Sequence, residues 1–293
     1  HGRFTGNVQR VEVSFISEPH TPASRLAELE RYEAGSLDAV LLKGMDPVEV
    51  ERARQRHAGE YVSAPELLVL YLEFDASRPP FDDRRVRQAF IHATDRETLI
   101  NVAMRGQDFP ATGGFVPVGM PGHSPGIALP YDPQCARGLL AEAGYPGGRG
   151  FPAVLFYPFQ RLIPEGEQLQ LQWRENLGIE TTVPATRESA HMVLLGWQAD
   201  YPDPDDFLRV ALRDTVSWRS EAYDRLVEEA RWLTAQRRRM ELYAQAERIL
   251  AEEAPVMPLA YARRQLLVKP WVSRFPASPL NWQLWKDVVM EPH

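Results

Sequence analysis

The chain holds one cysteine, Cys135, among 293 residues. A single thiol excludes an intramolecular disulfide and a multi-cysteine metal site. Its place on a helical pattern after Asp132-Pro133 reads as a small buried apolar residue. Lysine is scarce as well: of 33 basic residues only Lys43, Lys269 and Lys286 are lysines. The net charge is −7 with no clustered basic face, which argues against direct nucleic-acid binding. The one strong basic run, Arg237-Arg238-Arg239, lies in a helical pattern flanked by Glu241 and Glu247, and reads as a solvated helix face. No apolar run approaches the roughly 20 residues that cross a bilayer, so no transmembrane segment is expected.

Recognisable catalytic motifs are missing too. There is no G-x-x-x-x-G-K-[ST] phosphate loop, no G-x-S-x-G nucleophile elbow and no H-E-x-x-H zinc spacing. The seven histidines are scattered singly and read as surface or packing residues. Gly113-Gly114 and Gly147-Gly148 do not open a helix after a strand, so a dinucleotide fingerprint is unsupported. No nucleophile–base pair stands out, and neither an enzyme nor a cofactor is implied.

What is present is ordinary for a globular protein: 44% hydrophobic and 25% charged residues, enough for a sizeable core in one large or two modest domains. Val11, Val13 and Phe15 alternate with polar residues and predict a half-buried strand. Thr21-Pro22 starts a helix with Leu26, Leu29 and Tyr32 inward and Gly35 at its end; Leu37 to Leu42 predicts a strand, making residues 8–42 a β-α-β unit. Asp46-Pro47 caps a short helix, Leu67 to Phe74 is a strand, and Arg78-Pro79-Pro80 marks a hinge or boundary. Asp83, Asp95 and Asp132 cap three further helices. Residues 110–131 form a long Pro/Gly-rich loop, of the kind that is functional or wraps the surface. Then follow a strand (151–157), a helix (165–176), a strand (179–183), two helices (221–233 and 236–252) and a terminal strand (256–261). Trp271, Trp282 and Trp285 anchor the tail, since no basic residues interleave with them.

The chemistry concentrates in LLGWQADYPDPDDFL (194–208). A strand delivers Gly196-Trp197 into a loop with four aspartates and two prolines. Trp197 beside Asp200 offers an apolar wall with one anchored charge, which suits a small amine-bearing ligand. The alternative is a core tryptophan beside a solvated acidic loop. Calcium is disfavoured, because the aspartates lack the D-x-D-x-D-G order and a distant glutamate.

Several segments together resemble one family. FDDRRVRQAFIHATDRETLI (81–100), YDPQCARGLLAEAGYPGG (131–148) and LGWQADYPDPDDFL (195–208) are similar to segments of the family 5 extracellular solute-binding proteins, the oligopeptide and dipeptide binders of ABC importers. SRLAELERYEAGSLDAV (24–40) and ILAEEAPVMPLAYARRQLLVKP (249–270) extend the resemblance over nearly the whole chain. It implies an α/β fold of periplasmic-binding-protein type (class II), two lobes closing like a clamp, with the family's N-terminal part missing. Residues 1–75 and 255–293 would then be a partial hinge-proximal lobe, and residues 76–254 a complete second lobe.

The resemblance also places Trp197 at the ligand pocket and matches Asp200 to the aspartate that receives a peptide's α-ammonium. Asp203, Asp205 and Asp206 would turn and cap the helix at Phe207. One departure is the short connection TTVPATRESAHMVLL (181–195), which implies a cut-back pocket wall. The implied function is binding of a peptide or other amine-bearing solute, with an ABC permease as partner, in an extracytoplasmic setting. The alternative is the solute-sensing domain of a larger cytoplasmic transcriptional regulator.

Overall fold

Local caps set most helix starts in the computed structural model, which describes residues 6–13, 22–159, 162–213, 217–275 and 287–292. Helix α1 (Pro22–Glu33) precedes strand β1 (Ala39–Leu41) and α2 (Pro47–Arg56), where Asp46 accepts the Val48 N–H at 2.8 Å. After β2 (Tyr61–Phe74) come α3 (Arg84–His92), capped by Asp83, and α4 (Arg96–Val102), capped by Asp95. Strand β3 (Phe109–Pro110) is followed by α5 (Pro133–Glu142), whose Asp132 cap accepts from Gln134 and Cys135. Next are β4 (Val154–Pro158) and α6 (Ile163–Leu177), ended by Gly178 at φ 70°, a left-handed conformation that favours glycine. The chain continues through β5 (Thr181–Thr182), β6 (Met192–Gln198), α7 (Ala211–Arg213), α8 (Glu221–Trp232), α9 (Gln236–Glu253), β7 (Val256–Val268), β8 (Val272–Arg274) and β9 (Val289–Met290).

Two compact units divide the chain: His1–Glu66 with Arg263–His293, and Leu67–Ala262. In the first, β1 runs antiparallel to the end of β7, with Ala39 opposite Val268. Leu29, Tyr32, Val40, Leu42 and Leu267 form a small core there. Glu66 is buried between Lys43 Nζ at 2.8 Å and Arg264 Nε at 3.1 Å. Burial pushes its carboxyl up, but the two cations outweigh that and hold it below the ordinary range. Trp271 donates from Nε1 to Asp38 over 2.8 Å, tying the segment after β7 to this unit.

The second unit is a mixed sheet with helices packed on it. β2 pairs antiparallel with β6 from Leu68↔Gln198 to Phe74↔Met192, and β6, β4 and β5 then run parallel. Alternation along β2 sends Leu70, Leu72 and Phe74 into a core shared with Phe81, Phe90, Phe156 and Trp173. Trp173 satisfies its indole by donating to Thr94 Oγ1 at 3.0 Å. Arg87 is buried and donates to the carbonyls of Phe81, Glu253 and Ala254.

Several sequence expectations need correction. Residues 8–13 form no strand, and Val11 and Val13 are exposed, so the β-α-β unit lacks its first strand there; Phe15 and Thr21 lie outside the described residues. The preceding Asn7 is held at the edge, with its N–H donating to Val288 O and its side chain to Met290 O. Leu26 is exposed rather than inward, and Cys135 is half-buried rather than buried. The strands predicted at 67–74 and 256–261 are longer, reaching back to Tyr61 and on to Val268. The 110–131 loop is not confined to the surface: Ala111, Phe115 and Val116 are buried. Trp282 and Trp285 lie outside the described residues.

Candidate ligand-binding site

The end of β6 is fixed by main-chain pairing before any ligand chemistry enters. Trp197 stands opposite Val69, and Tyr71 and Glu73 lie opposite Leu195 and Val193 on the same face. Ala199 N–H donates to Leu67 O at 2.8 Å, and Gln198 Nε2 donates to the same carbonyl at 3.1 Å. Beyond that pair the chain leaves the sheet. Trp197 is half-buried there, and Asp200 presents an exposed carboxylate three residues on.

Asp206 brings these two residues into one arrangement. Its Oδ2 accepts the Trp197 Nε1–H at 3.0 Å and the Asp200 main-chain N–H at 3.1 Å. Asp206 is fully buried, and its Oδ1 has no hydrogen-bond partner among the described residues. Burial pushes this carboxyl above its ordinary range, with the nearby Asp200 and Asp205 carboxylates adding to the shift. The hydrogen bonds from Trp197 and Asp200 pull the other way.

The other aspartates are engaged by arginine. Asp203 forms a fork-to-fork pair with Arg239 (2.6 and 2.7 Å) and accepts the Asp205 N–H at 2.9 Å. Asp205 is buried and accepts from Arg209 and from Tyr201 Oη. Burial raises its carboxyl, but these hydrogen bonds outweigh the cost and hold it below the ordinary range. Among the described residues no group of three or more His, Cys, Asp or Glu is placed to hold a metal ion.

Downstream, residues 206–210 make a wide π-type turn, a form in which an extra residue is accommodated in one helical turn. Phe207 enters the core against Phe115, whose ring stacks edge-on to Tyr71 at 4.8 Å. The acidic loop is thereby tied to the buried 113–117 segment. That segment is itself held by Glu247, which accepts the Val116 N–H at 2.8 Å, and by Tyr261 Oη donating to Gly114 O at 2.6 Å.

The Trp197 indole and the Asp200 main chain are therefore both tied to Asp206 just past the end of β6. They line neither a cavity of about 20 Å3 between Arg96, Gly114 and Glu247 nor an open groove of about 470 Å3 beside Arg209, Trp218 and Tyr223. Asp206 departs from its expected capping role: its bonds go back to the strand end rather than forward into the helix. Sequence spacing offered no sign of that, since three of the four aspartates look interchangeable until their partners are seen.

A profile of the bacterial extracellular solute-binding proteins, family 5 Middle, matches residues 4–218. The periplasmic oligopeptide-binding protein OppA of Salmonella typhimurium is 28% identical over 299 residues, covering 92% of this chain and 54% of OppA. Heme-binding protein A of Haemophilus influenzae is 26% identical over 306 residues, covering 97% of this chain and 54% of that protein. Among solved structures, HbpA2 from Haemophilus parasuis superposes with a TM-score of 0.76 at 21% identity, over 92% of this chain and 56% of HbpA2. The likeness to HbpA2 concerns the fold. The chain spans about half the length of the curated relatives it matches.

Proposed function

The chain belongs to the bacterial extracellular solute-binding proteins, family 5, and on that premise we propose that it binds a peptide or other amine-bearing solute for an ABC-type importer. The observation that carries the reading is the strand end itself. Asp200 is exposed and Trp197 half-buried, and the Trp197 indole and the Asp200 main chain are tied to one buried acceptor, Asp206. A ligand ammonium covered at this point would need a partner, because burying an isolated charge is costly. Asp200 supplies that partner and Trp197 an aromatic wall for the adjoining atoms.

In this reading Leu67–Ala262 is the second lobe, and the unit of His1–Glu66 with Arg263–His293 is part of the hinge-proximal lobe. The protein works outside the cytoplasm, binds without turning its ligand over, and passes the solute to a permease on closure. The relatives named above bind oligopeptides and heme by their names, so pocket chemistry sets the ligand within one fold. Amine selection by Asp200 favours the peptide class. The regulator alternative has no observation in its favour.

Titration calorimetry of trialanine and N-acetyl-trialanine against the chain tests the proposal. The free-amine peptide should bind at least tenfold more tightly. Equal affinities, or no binding of either, would overturn it.

A further inference from the structure

We infer that Asp206 is the positioning residue of this strand end: its carboxylate holds the Trp197 ring and the Asp200 main chain in the geometry that receives a ligand ammonium. The inference rests on the ligand reading above and deepens it.

Three observations carry it. A single oxygen, Oδ2, accepts from both groups, at 3.0 Å from Trp197 Nε1 and 3.1 Å from the Asp200 nitrogen. The ring plane and the start of the acidic loop are therefore set together rather than separately. Second, the bonds of this side chain go to those two groups. Its Oδ1 is without a hydrogen-bond partner among the described residues, and the turn that follows is steadied instead by Asp203 through the Asp205 N–H. Third, Asp206 is completely buried, so it cannot itself meet a solute on the exposed face and acts only through what it holds.

The chemistry explains why a carboxylate suits this place. An acceptor-only group can take two convergent N–H donors on one oxygen without presenting a donor of its own to the core. Replacing it with an apolar residue leaves the indole N–H and the loop N–H unpaired, freeing the ring to rotate and Asp200 to drift. An amide oxygen at the same place accepts both donors, so asparagine should keep the two bonds, at the stability cost of an NH2 placed where Oδ1 meets no partner among the described residues.

The test combines a readout without ligand and one with it. In 15N-labelled chain, the Trp197 indole signal is identified by its loss in Trp197→Phe, and its exchange with water is followed beside the Asp200 amide. Asp206→Ala should speed exchange of both at least tenfold and weaken trialanine binding at least tenfold. Asp206→Asn should bring both back to within threefold of the parent chain. Asp206→Leu, which leaves no cavity, replaces alanine if that variant does not fold. Unchanged exchange in the alanine or leucine variant overturns the inference. Altered exchange with parent-like trialanine affinity overturns it equally. A parent chain that binds no trialanine counts against the ligand reading alone, because the exchange comparison still decides whether Asp206 holds the two groups.

Discussion

The Glu247 carboxyl lies directly beneath Gly114: a Cβ on that glycine would fall inside contact distance of both carboxyl oxygens. The same carboxyl accepts the Val116 N–H at 2.8 Å, so the close approach and the hydrogen bond come as one packing arrangement. Gly114→Ala must displace either the loop or the α9 side chain. Overpacking of this kind costs roughly 1–3 kcal/mol. Thermal unfolding should show a lowered midpoint, and an unchanged one would mean that the segment shifts freely.

Glu247 also makes stability depend on pH. Burial pushes its carboxyl from 4.5 up to about 7, against hydrogen bonds from Ser124, Val116 and Phe115. Between those two values the folded chain holds a proton that the unfolded chain has released, so stability falls as pH rises through the interval. Above about 7 the full cost, on the order of 3 kcal/mol, is present. Glu73, also pushed up to about 7 chiefly by burial, contributes a second loss of the same sign. Glu247→Gln should gain on the parent chain as pH rises from 4.5 to above 7, measured by denaturant unfolding at each pH. Parallel profiles for the two proteins would show that Glu247 does not titrate in this range.

The three consecutive arginines of α9 should behave differently from one another. Arg237 and Arg238 are exposed and reach Glu241 at 3.4 and 3.5 Å. Arg239 is largely buried, forks onto Asp203, and also donates to Ala230 O and Tyr243 Oη. Alanine at the first two should change stability by less than about 0.5 kcal/mol. Arg239→Ala should cost about 1–3 kcal/mol, since it strips charged hydrogen bonds from a partly buried acceptor. Equal effects in denaturant unfolding would return all three to the solvated face that the sequence suggested.

What could be read from the sequence was what is local. Asp46, Asp83, Asp95 and Asp132 cap helices through main-chain groups two or three residues away, and a cap that close is written in the sequence itself. The extensions of β2 and β7 were hidden for a different reason. Pro65 interrupts the first half of β2, and Arg263-Arg264 looks like solvated charge at the point where β7 continues. Arg264 is buried where Glu66, 198 residues earlier, meets it. The alternation at Val11 and Val13 misled because an alternating pattern states that one face could be buried, not that anything covers it. At the candidate site, Trp197 and Asp200 stood out by residue type and by family resemblance. Asp206 did not, because its role depends on a loop folding back over nine residues to the indole.

The central claim is that Asp200 receives a ligand ammonium, and one comparison tests it most directly. Calorimetric affinities of the parent chain and Asp200→Asn are measured for trialanine and for N-acetyl-trialanine. A covered ammonium–carboxylate pair is worth at least one factor of ten, about 1.4 kcal/mol. Asp200→Asn should therefore weaken the free-amine peptide at least tenfold and leave the acetylated one within about twofold. Equal losses for both peptides, or none for either, would contradict the account.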